Sequence, residues 1–459
     1  MAKTLRKSKA PNGRAITKGN DWLVQEVAEP NLYRESFAYE QLPRAFYDNQ
    51  SVPMDLPAEI WVTDTTFRDG QQARAPYSTE QVVKLYDLMH KLDAGTGLIR
   101  QSEFFLYSER DRLAVSKCLE RGYRYPEVTG WIRAVKSDFQ LVRDMGLKET
   151  GILTSCSDYH IFLKLRKSRT QVLAMYLETV KAALDAGIQP RCHFEDVTRA
   201  DLYGFVLPLA NELVKLGEQD GVKIKMRMCD TMGVGLPWPQ SALPRSVPKI
   251  IHALRHELGL GSEQLEFHGH NDLHKVVANS VAAWLYGCAA CNSTLLGIGE
   301  RTGNAPLEAL VVELVQLSGG YSQIDYSVIT EIAEYYSKEL GHNIPENYPL
   351  VGRDFNVTRA GIHADGLSKN EEIYNLFDTE KLLNRPVKVM ITDKSGVAGI
   401  KHWIEQRYQV DSLNKTDPRL TGIYELIMAE YEGGRTTSIS DEEMASWVAE
   451  KFGRLPLKQ

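Results

Sequence analysis

The chain lacks several features that mark specialised classes of protein. Its six cysteines in 459 residues are too sparse for a disulfide scaffold. It has no run of about 18 apolar residues, the length that a transmembrane helix needs, and no apolar centre of a secretory signal near its N-terminus. The formal net charge of -6 offers no basic stripe for nucleic acid. We therefore expect a cytoplasmic protein that binds neither membranes nor nucleic acid.

Two local features that resemble functional signals are interpreted as structural. Residues 1–14 carry five basic and no acidic side chains, but Pro11 and Gly13 oppose a helix, so we expect a disordered starting tail. Cys288 and Cys291 form a single CxxC in a stretch rich in Gly and Ala. One such pair is weak support for zinc or redox chemistry, and we expect reduced, buried thiols.

Short apolar or β-branched runs alternate with amphipathic stretches of helical period between residue 60 and about residue 317. This alternation is typical of βα units around a parallel sheet. Helical stretches such as "STEQVVKLYDLMHKL" and "SRTQVLAMYLETVKAALDAG" open with a serine suited to capping. The predicted strands begin at Ile60, Leu98, Glu127, Glu149, Gln189, Lys223, Gln264 and Ala290.

Eight strands, each followed by a helix, favour an α/β fold of the (β/α)₈ or TIM-barrel type over an open sheet, because that number closes a cylinder without edges. Nearly every predicted strand ends in polar residues, and a barrel gathers all eight carboxyl ends at one mouth. These polar ends are Arg68-Asp69, Glu103, Glu195-Asp196, Asp230-Thr231, His268 to Asp272 and Glu300-Arg301.

The barrel is predicted to occupy residues 59–318. Residues 1–58 contain many Pro and aromatic residues and indicate an irregular N-terminal arm. Residues 319–459 form a smaller, mainly α-helical accessory region, in which we interpret residues 347–367 as a polar loop and residues 401–459 as mostly helical.

Two histidines in the seventh predicted strand indicate a metal site. Side chains alternate along a strand, so His268 and His270 point the same way, about 7 Å apart along the chain. Asp69, at the end of the first strand, lies beside the last strands once the barrel closes. Two imidazoles and a carboxylate suit Mn²⁺, Zn²⁺, Co²⁺ or Fe²⁺, with Mg²⁺ as a further candidate, and leave positions for a chelating 2-oxo acid.

Two neighbouring features have open alternatives. Arg68 is placed to stabilise an alkoxide, or it forms an ion pair with Glu103 or Asp230. The loop "GIGERTGNAP" has GxGxxxG spacing rather than the dinucleotide fingerprint, which disfavours NAD. This loop either contacts a nucleotide-bearing substrate such as coenzyme A or is a plain turn.

These motifs resemble the family of acyl-CoA condensing enzymes that includes 2-isopropylmalate synthase, homocitrate synthase and Re-type citrate synthase. "DTTFRDGQQ" resembles the first-strand signature of this family, "FHGHND" its metal-binding strand, "CDTMG" its substrate-carboxylate strand and "GIGERTGNAPLE" its eighth-strand loop. "RAGIHADG" followed by "EEIYN" resembles its accessory-domain signature. The resemblance covers most of the chain.

The resemblance implies a role for each matching residue. Asp69, His268 and His270 would bind a divalent metal (Mn, Co, Zn or Mg), with Asn304 as a further ligand. Arg68, His363 and Tyr374 would be catalytic, the last two reaching into the barrel of a neighbouring subunit in a homodimer. Glu103 at the second strand end is expected to bind substrate. The substrate pocket would also include Gln72, His160, Glu195, Arg199 and Thr231.

The implied reaction is deprotonation of acetyl-CoA, attack on the ketone of a metal-bound 2-oxo acid, and thioester hydrolysis. The phrases "PEVTGWIRA" and "LKETGILTSCSDYHIFLKL" are most similar to the Re-citrate synthase branch, which implies oxaloacetate as acceptor. 2-Isopropylmalate, homocitrate and phosphonomethylmalate synthases remain alternatives. A lyase of the hydroxymethylglutaryl-CoA type and a non-catalytic metabolite-binding relative are less favoured, because neither explains His363 and Tyr374.

Overall fold

The computed structural model describes residues 22–320 and 323–458. The chain forms two compact units, one ending at Ile324 and one beginning at Asp325. The tail predicted over residues 1–14 lies outside the described residues. None of the described helices is long and apolar enough to cross a membrane.

The first unit is built around a closed barrel of eight parallel strands in sequence order. The first strand pairs with both the second and the eighth, which closes the cylinder. The predicted barrel and all eight of its strands are thereby confirmed. The strands are β1 Trp61–Asp64, β2 Ile99–Phe105, β3 Glu127–Ile132, β4 Glu149–Ser155, β5 Gln189–Glu195, β6 Lys225–Asp230, β7 Leu265–Gly269 and β8 Ala290–Ser293.

Helices separate these strands, and two of them begin as the sequence predicts. The side chains of Ser78 and Ser168 each accept a hydrogen bond from the backbone N–H three residues later. The side chains of Gln81 and Gln171 in turn accept from the backbone N–H of the serine, which completes a capping box at each helix. The helices of the first unit are α1 Asp69–Gln72, α2 Thr79–Asp93, α3 Glu109–Leu119, α4 Phe139–Asp144, α5 Arg169–Asp185, α6 Leu207–Asp220, α7 Val247–His252, α8 Val276–Leu285 and α9 Leu307–Ser318.

The barrel interior contains a layer of paired charges. Arg191 on β5 and Arg227 on β6 donate to Glu103 on β2 at 2.7 and 3.0 Å, contacts that cross the barrel because β2 is adjacent to neither strand. Arg191 also pairs with Glu149 at 2.9 Å, and Arg227 with Glu266 at 2.8 Å. Charges buried this deeply are tolerated because each has a partner.

Residues 22–58 contain no helix or strand and, within the first unit, form hydrogen bonds and ion pairs with the barrel region. The backbone N–H of Asn31 donates to Asp158 at 2.8 Å, and Arg169 donates to the carbonyl of Gln25 at 2.8 Å. Lys249 pairs with Asp48 at 2.6 Å. All six cysteines are free and buried, as predicted.

The second unit is mainly helical. Among the described residues, a small parallel pair, β9 Val357–Thr358 and β10 Lys388–Val389, accompanies six α-helices and a core that includes Ile400, Trp403 and Ile423. The polar loop predicted over residues 347–367 is wrong in part, because β9 and most of α11 fall within it. Two glycines in this segment interrupt the apolar helical spacing, which hid the burial of Ala364 and Leu367. The helices are α10 Ser327–Lys338, α11 Gly361–Lys369, α12 Thr379–Leu383, α13 Gly396–Arg407, α14 Pro418–Glu432 and α15 Asp441–Phe452.

Candidate active site

Three side chains predicted as metal ligands lie together at the mouth of the barrel. Nε2 of His268, on β7, and Nε2 of His270, just beyond it, are 3.3 Å apart. Oδ2 of Asp69 lies 3.6 Å from the first nitrogen and 3.5 Å from the second. All three residues are buried, so the cluster is a compact set of one carboxylate and two imidazoles.

Asp69 reaches this cluster from a helix and not from a strand end. β1 stops at Asp64, and Asp69 is the first residue of α1. Its backbone N–H donates to the carbonyl of Thr65 at 2.9 Å, which anchors the turn between strand and helix. The predicted convergence with His268 and His270 still occurs, because β1 and β7 both flank β8 in the closed barrel.

The residues of this cluster fit a divalent cation. Burial lowers the pKa of both imidazoles, so both are neutral near pH 7, the form that binds metal. Burial opposes ionisation of Asp69, but the guanidinium of Arg68 holds the pKa of that carboxyl below its usual value. Asn304 donates to Asp69 at 2.8 Å, while its own Oδ1 is buried and has no hydrogen-bond partner within residues 22–320 and 323–458. A divalent cation would be bound by the nitrogen and oxygen lone pairs of these side chains.

Close backbone approach makes room for Asn304. A Cβ on Gly299 would lie 1.7 Å from Oδ1 of Asn304. Only glycine fits at this position of the eighth-strand loop, because any side chain would overlap the amide. The loop "GIGERTGNAP" therefore serves at least to place Asn304 beside Asp69.

Arg68 lies between the candidate metal ligands and the charged layer inside the barrel. Its Nε donates to Glu103 at 2.9 Å, and its Nη1 is 4.0 Å from Asp69. The ion pair with Glu103 that the sequence allowed is thus present, and Asp230 instead accepts from Thr198 at 2.6 Å. The Arg68 side chain remains 12% exposed, so it is not sealed inside the barrel.

Glu103 is buried more deeply than we expect for a residue that contacts the substrate. The side chain is only 1% exposed and accepts hydrogen bonds from four groups, namely Thr65, Arg68, Arg191 and Arg227. Burial alone would raise the pKa of Glu103, but the neighbouring guanidiniums, Arg227 first, hold it well below the usual range. Because its oxygens accept from these donors, Glu103 fixes the position of Arg68 from the barrel interior.

The side of the mouth formed by β4 and β5 brings several predicted pocket residues together. Nδ1 of His160 lies 3.1 Å from Glu195, which also accepts from Ser155. Burial opposes ionisation of Glu195, but His160 and then Ser155 lower the pKa of this carboxyl to about 2. Arg199 pairs through Nε and Nη2 with Asp196 at 2.8 Å.

The remaining pocket residues differ in how firmly they are held. Oγ1 of Thr231 accepts from the backbone N–H of Asp196 at 2.8 Å, and the carbonyl of Thr231 accepts from Arg301. Arg301 also pairs with Asp272 at 2.8 Å, which ties together the loops that follow β6, β7 and β8. Gln72, at the end of α1, is exposed.

The two predicted catalytic residues of the accessory region form a pair in the second unit. The rings of His363 and Tyr374 have centroids 4.2 Å apart. A Cβ on Gly366 would lie 2.5 Å from the ring of Tyr374, so glycine permits this approach. Three apolar side chains around the pair are exposed: Ile362 at 74%, Ile373 at 51% and Leu376 at 96%.

A family model described as HMGL-like matches residues 59–335. The chain belongs to the HMGL-like family. It is 55% identical over 428 residues to a protein named citrate (Re)-synthase from Syntrophus aciditrophicus, covering 93% of this chain and 68% of the relative. A citrate (Re)-synthase from Clostridium kluyveri is 50% identical, covering 94% and 95%. The crystal structure of hydroxymethylglutaryl-CoA lyase from Pseudomonas aeruginosa shares the fold, with a TM-score of 0.50, 21% identity, and 63% and 95% covered.

Sequence reasoning missed the charged layer that supports this HMGL-like site. Arg191 and Arg227 were not proposed as site residues, yet both bind Glu103 beneath Arg68. Each stands at the centre of a strand whose alternate residues are apolar, as in "PRCHF" and "MRMC". A charge at such a position indicates a partner inside the barrel, although the pattern does not say which partner.

Proposed function

We propose that this HMGL-like protein joins the methyl carbon of acetyl-CoA to the ketone carbon of oxaloacetate, after which water hydrolyses the thioester and releases citrate and free coenzyme A. The protein is then an enzyme, an acyltransferase of the condensing type. The buried cluster of Asp69, His268 and His270 with Arg68 beside it carries the proposal. The identities of 55% and 50% to proteins named citrate (Re)-synthase support this choice among condensation reactions.

A divalent cation at the cluster is part of the proposal. Asp69, His268 and His270 would hold it, and Asn304 is a further candidate ligand through its unpartnered oxygen. Mn²⁺, Co²⁺, Zn²⁺ and Mg²⁺ are the candidates. When bound, such an ion supplies Lewis-acid polarisation of a keto acid.

Arg68 is proposed to stabilise negative charge on the ketone oxygen during carbon–carbon bond formation. Glu103 engages Nε of the guanidinium, and the side chain is partly exposed. The N–H groups that Glu103 does not engage are the ones assigned to the ketone oxygen. Donors fixed in this way act without reorganising when the charge develops. The charged layer beneath Arg68 supplies that rigidity.

The β5 and β6 ends of the mouth are proposed to bind the carboxylates of the acceptor. Arg199 uses Nε and Nη2 for Asp196, so Nη1 is assigned to a substrate carboxylate, together with the hydroxyl of Thr231. His160, Glu195 and Gln72 are assigned to the pocket wall. A dicarboxylate suits this surface better than an aliphatic acid, because the guanidinium of Arg199 and the hydroxyl of Thr231 are polar donors.

The second unit is proposed to complete the site of a partner subunit. His363 and Tyr374 would assist proton transfer there, and the exposed Ile362, Ile373 and Leu376 support a role as a contact surface. We accordingly propose a cytoplasmic homodimer in which residues 1–58 are an arm, residues 59–318 the catalytic barrel and residues 319–459 the accessory region.

Release of free thiol from acetyl-CoA, with a panel of 2-oxo acids, tests the reaction. We expect release with oxaloacetate and formation of citrate by mass. Release with 2-oxoisovalerate, 2-oxoglutarate or phosphonopyruvate in place of oxaloacetate would assign isopropylmalate, homocitrate or phosphonomethylmalate synthesis instead. Absence of release with every acid, combined with cleavage of hydroxymethylglutaryl-CoA, would overturn the condensing reaction.

A further inference from the structure

A line of buried hydrogen bonds runs from Glu266 to His268 through two other strands. Thr63 on β1 donates its hydroxyl to Glu266 on β7. Asn292 on β8 donates from Nδ2 to Oγ1 of Thr63 at 2.9 Å, and Oδ1 of Asn292 faces Nδ1 of His268 at 2.7 Å. All four residues are buried, so water does not compete with these bonds.

The barrel register explains why this line forms. Thr63 and Asn292 are directly paired in the parallel ladder between β1 and β8. Glu266 and His268 are two residues apart on β7 and therefore point to the same face. The hydrogen-bonded line therefore starts at Glu266 on β7, passes through β1 and β8, and ends at His268, two residues further along β7.

The chemistry of Glu266 gives this line a direction. Arg227 donates from Nε and Nη2 to the two carboxylate oxygens of Glu266 at 2.8 and 3.1 Å, so Glu266 is paired as a carboxylate and only accepts. Thr63 must then donate its one proton to Glu266, and its oxygen accepts from the amide nitrogen of Asn292. The amide oxygen of Asn292 is left facing His268, where it requires a proton on Nδ1.

His270 has no comparable support. Its Nδ1 is buried without a hydrogen-bond partner among the described residues. Of the two imidazoles, only that of His268 has its Nδ1 proton specified by other side chains. The Nε2 lone pair of His268 consequently faces Asp69 and His270.

We propose that Thr63 and Asn292 are positioning residues that hold His268 in the Nδ1–H tautomer and so present its Nε2 as a ligand to a divalent cation. This inference rests on the proposed metal site but assigns residues that the metal would not touch. Glu266 terminates the line, and its pairing with Arg227 at 2.8 Å keeps it an acceptor.

The test uses matched variants at Thr63. Thr63→Val removes the hydroxyl at nearly constant volume, whereas Thr63→Ser retains it. Mn²⁺ binding, measured by electron paramagnetic resonance of the full chain, should weaken about 10- to 100-fold in Thr63→Val and return close to wild type in Thr63→Ser. Thr154→Val is the control, since Thr154 is a buried barrel threonine whose hydroxyl donates only to the carbonyl of His193.

A second measurement examines the tautomer without metal. ¹⁵N chemical shifts of histidine-labelled protein, assigned with His268→Asn, should show Nδ1–H at His268 in the wild type. A mixture of tautomers is expected in Thr63→Val and in Asn292→Leu, which serves if Thr63→Val does not fold. These chemical shifts report the role of Asn292 directly, because substitution of a merely structural residue would not change the tautomer of His268.

The outcomes separate this inference from the proposed function. Wild-type Mn²⁺ affinity and an unchanged His268 tautomer in Thr63→Val would overturn the positioning role, as would equal weakening in Thr63→Ser. Failure of the wild type to bind any divalent cation would overturn the metal site. The ¹⁵N chemical shifts of the metal-free protein would then test the tautomer of His268 independently of metal binding.

Discussion

Asp69 is a buried carboxylate that depends on its neighbours. Removing such a charge from water is costly unless donors or cations surround it. Arg68, Asn304 and two imidazoles supply that environment within about 4 Å. The site is therefore arranged around the negative charge of this one residue.

Removal of a candidate metal ligand tests that arrangement. We expect Asp69→Ala and His268→Ala to abolish measurable condensation and divalent-metal binding, because two ligands do not replace three. Turnover of acetyl-CoA and calorimetric titration with Mn²⁺ provide the measurements. His256→Ala, which alters a histidine with a 42% exposed side chain, is the control. Wild-type activity in either variant after treatment with a chelator would contradict the assignment.

Glu195 should make stability depend on pH. Its folded pKa of about 2 lies below the ordinary value of 4.5, so its contribution is complete above pH 4.5 and is lost as the pH falls towards 2. Urea unfolding from pH 6 to pH 3 should show a wild-type advantage over Glu195→Gln, at most about 3 kcal/mol, that shrinks with falling pH. Parallel stability curves would contradict the prediction. Glu178→Gln, at an exposed position, is the control.

The strands β5 and β6 each carry an arginine into the barrel interior. These strands also end at the mouth in Glu195 and Asp230. The same elements therefore provide both the interior charges and the walls of the site. A change in the interior of one strand should be transmitted to Arg68 through Glu103, which bonds both arginines and Arg68.

Arg227→Met tests the importance of the charged layer for the strands. The substitution leaves Glu103 and Glu266 with fewer buried partners, and we expect a loss of about 3–5 kcal/mol in the free energy of unfolding. Arg121→Met removes an exposed pair with Asp87 and should cost less than about 1 kcal/mol. Denaturant unfolding of both variants makes the comparison. Equal losses would show that the layer contributes little.

At the scale of the whole molecule, the proposed site requires two chains. The barrel unit contains the candidate metal ligands, whereas His363 and Tyr374 belong to the second unit. A homodimer with exchanged accessory regions would combine these parts twice by symmetry. The exposed apolar side chains around Tyr374 are the contact surface that we propose for such an exchange.

Mixing two inactive variants tests the exchange. His363→Ala retains an intact barrel, and Arg68→Ala retains an intact accessory region. After subunit exchange, half of the dimers are hybrids with one complete site of two, so about a quarter of wild-type activity should return. No recovery under conditions of proven exchange would contradict a shared site. Each variant incubated alone is the control.

Local periodicity was sufficient to predict the architecture. Alternation of short apolar runs with amphipathic stretches specified eight strands, since side chains repeat every two residues in strands and every 3.6 in helices. The spacing of His268 and His270 likewise placed both imidazoles on one face. Local glycines, in contrast, concealed α11, because they interrupt the apolar pattern of a helix that packing stabilises.

By itself, the sequence determined the barrel, the approach of Asp69 to His268 and His270, and the family resemblance. Only the tertiary structure decided which groups surround these residues: that Glu103 holds Arg68 from below, and that Asn292 faces His268. The physical reason is the distance along the sequence over which each effect acts. Periodicity acts between residues a few positions apart, whereas these hydrogen bonds join residues 35 and 24 positions apart that meet only when neighbouring strands of the barrel pair.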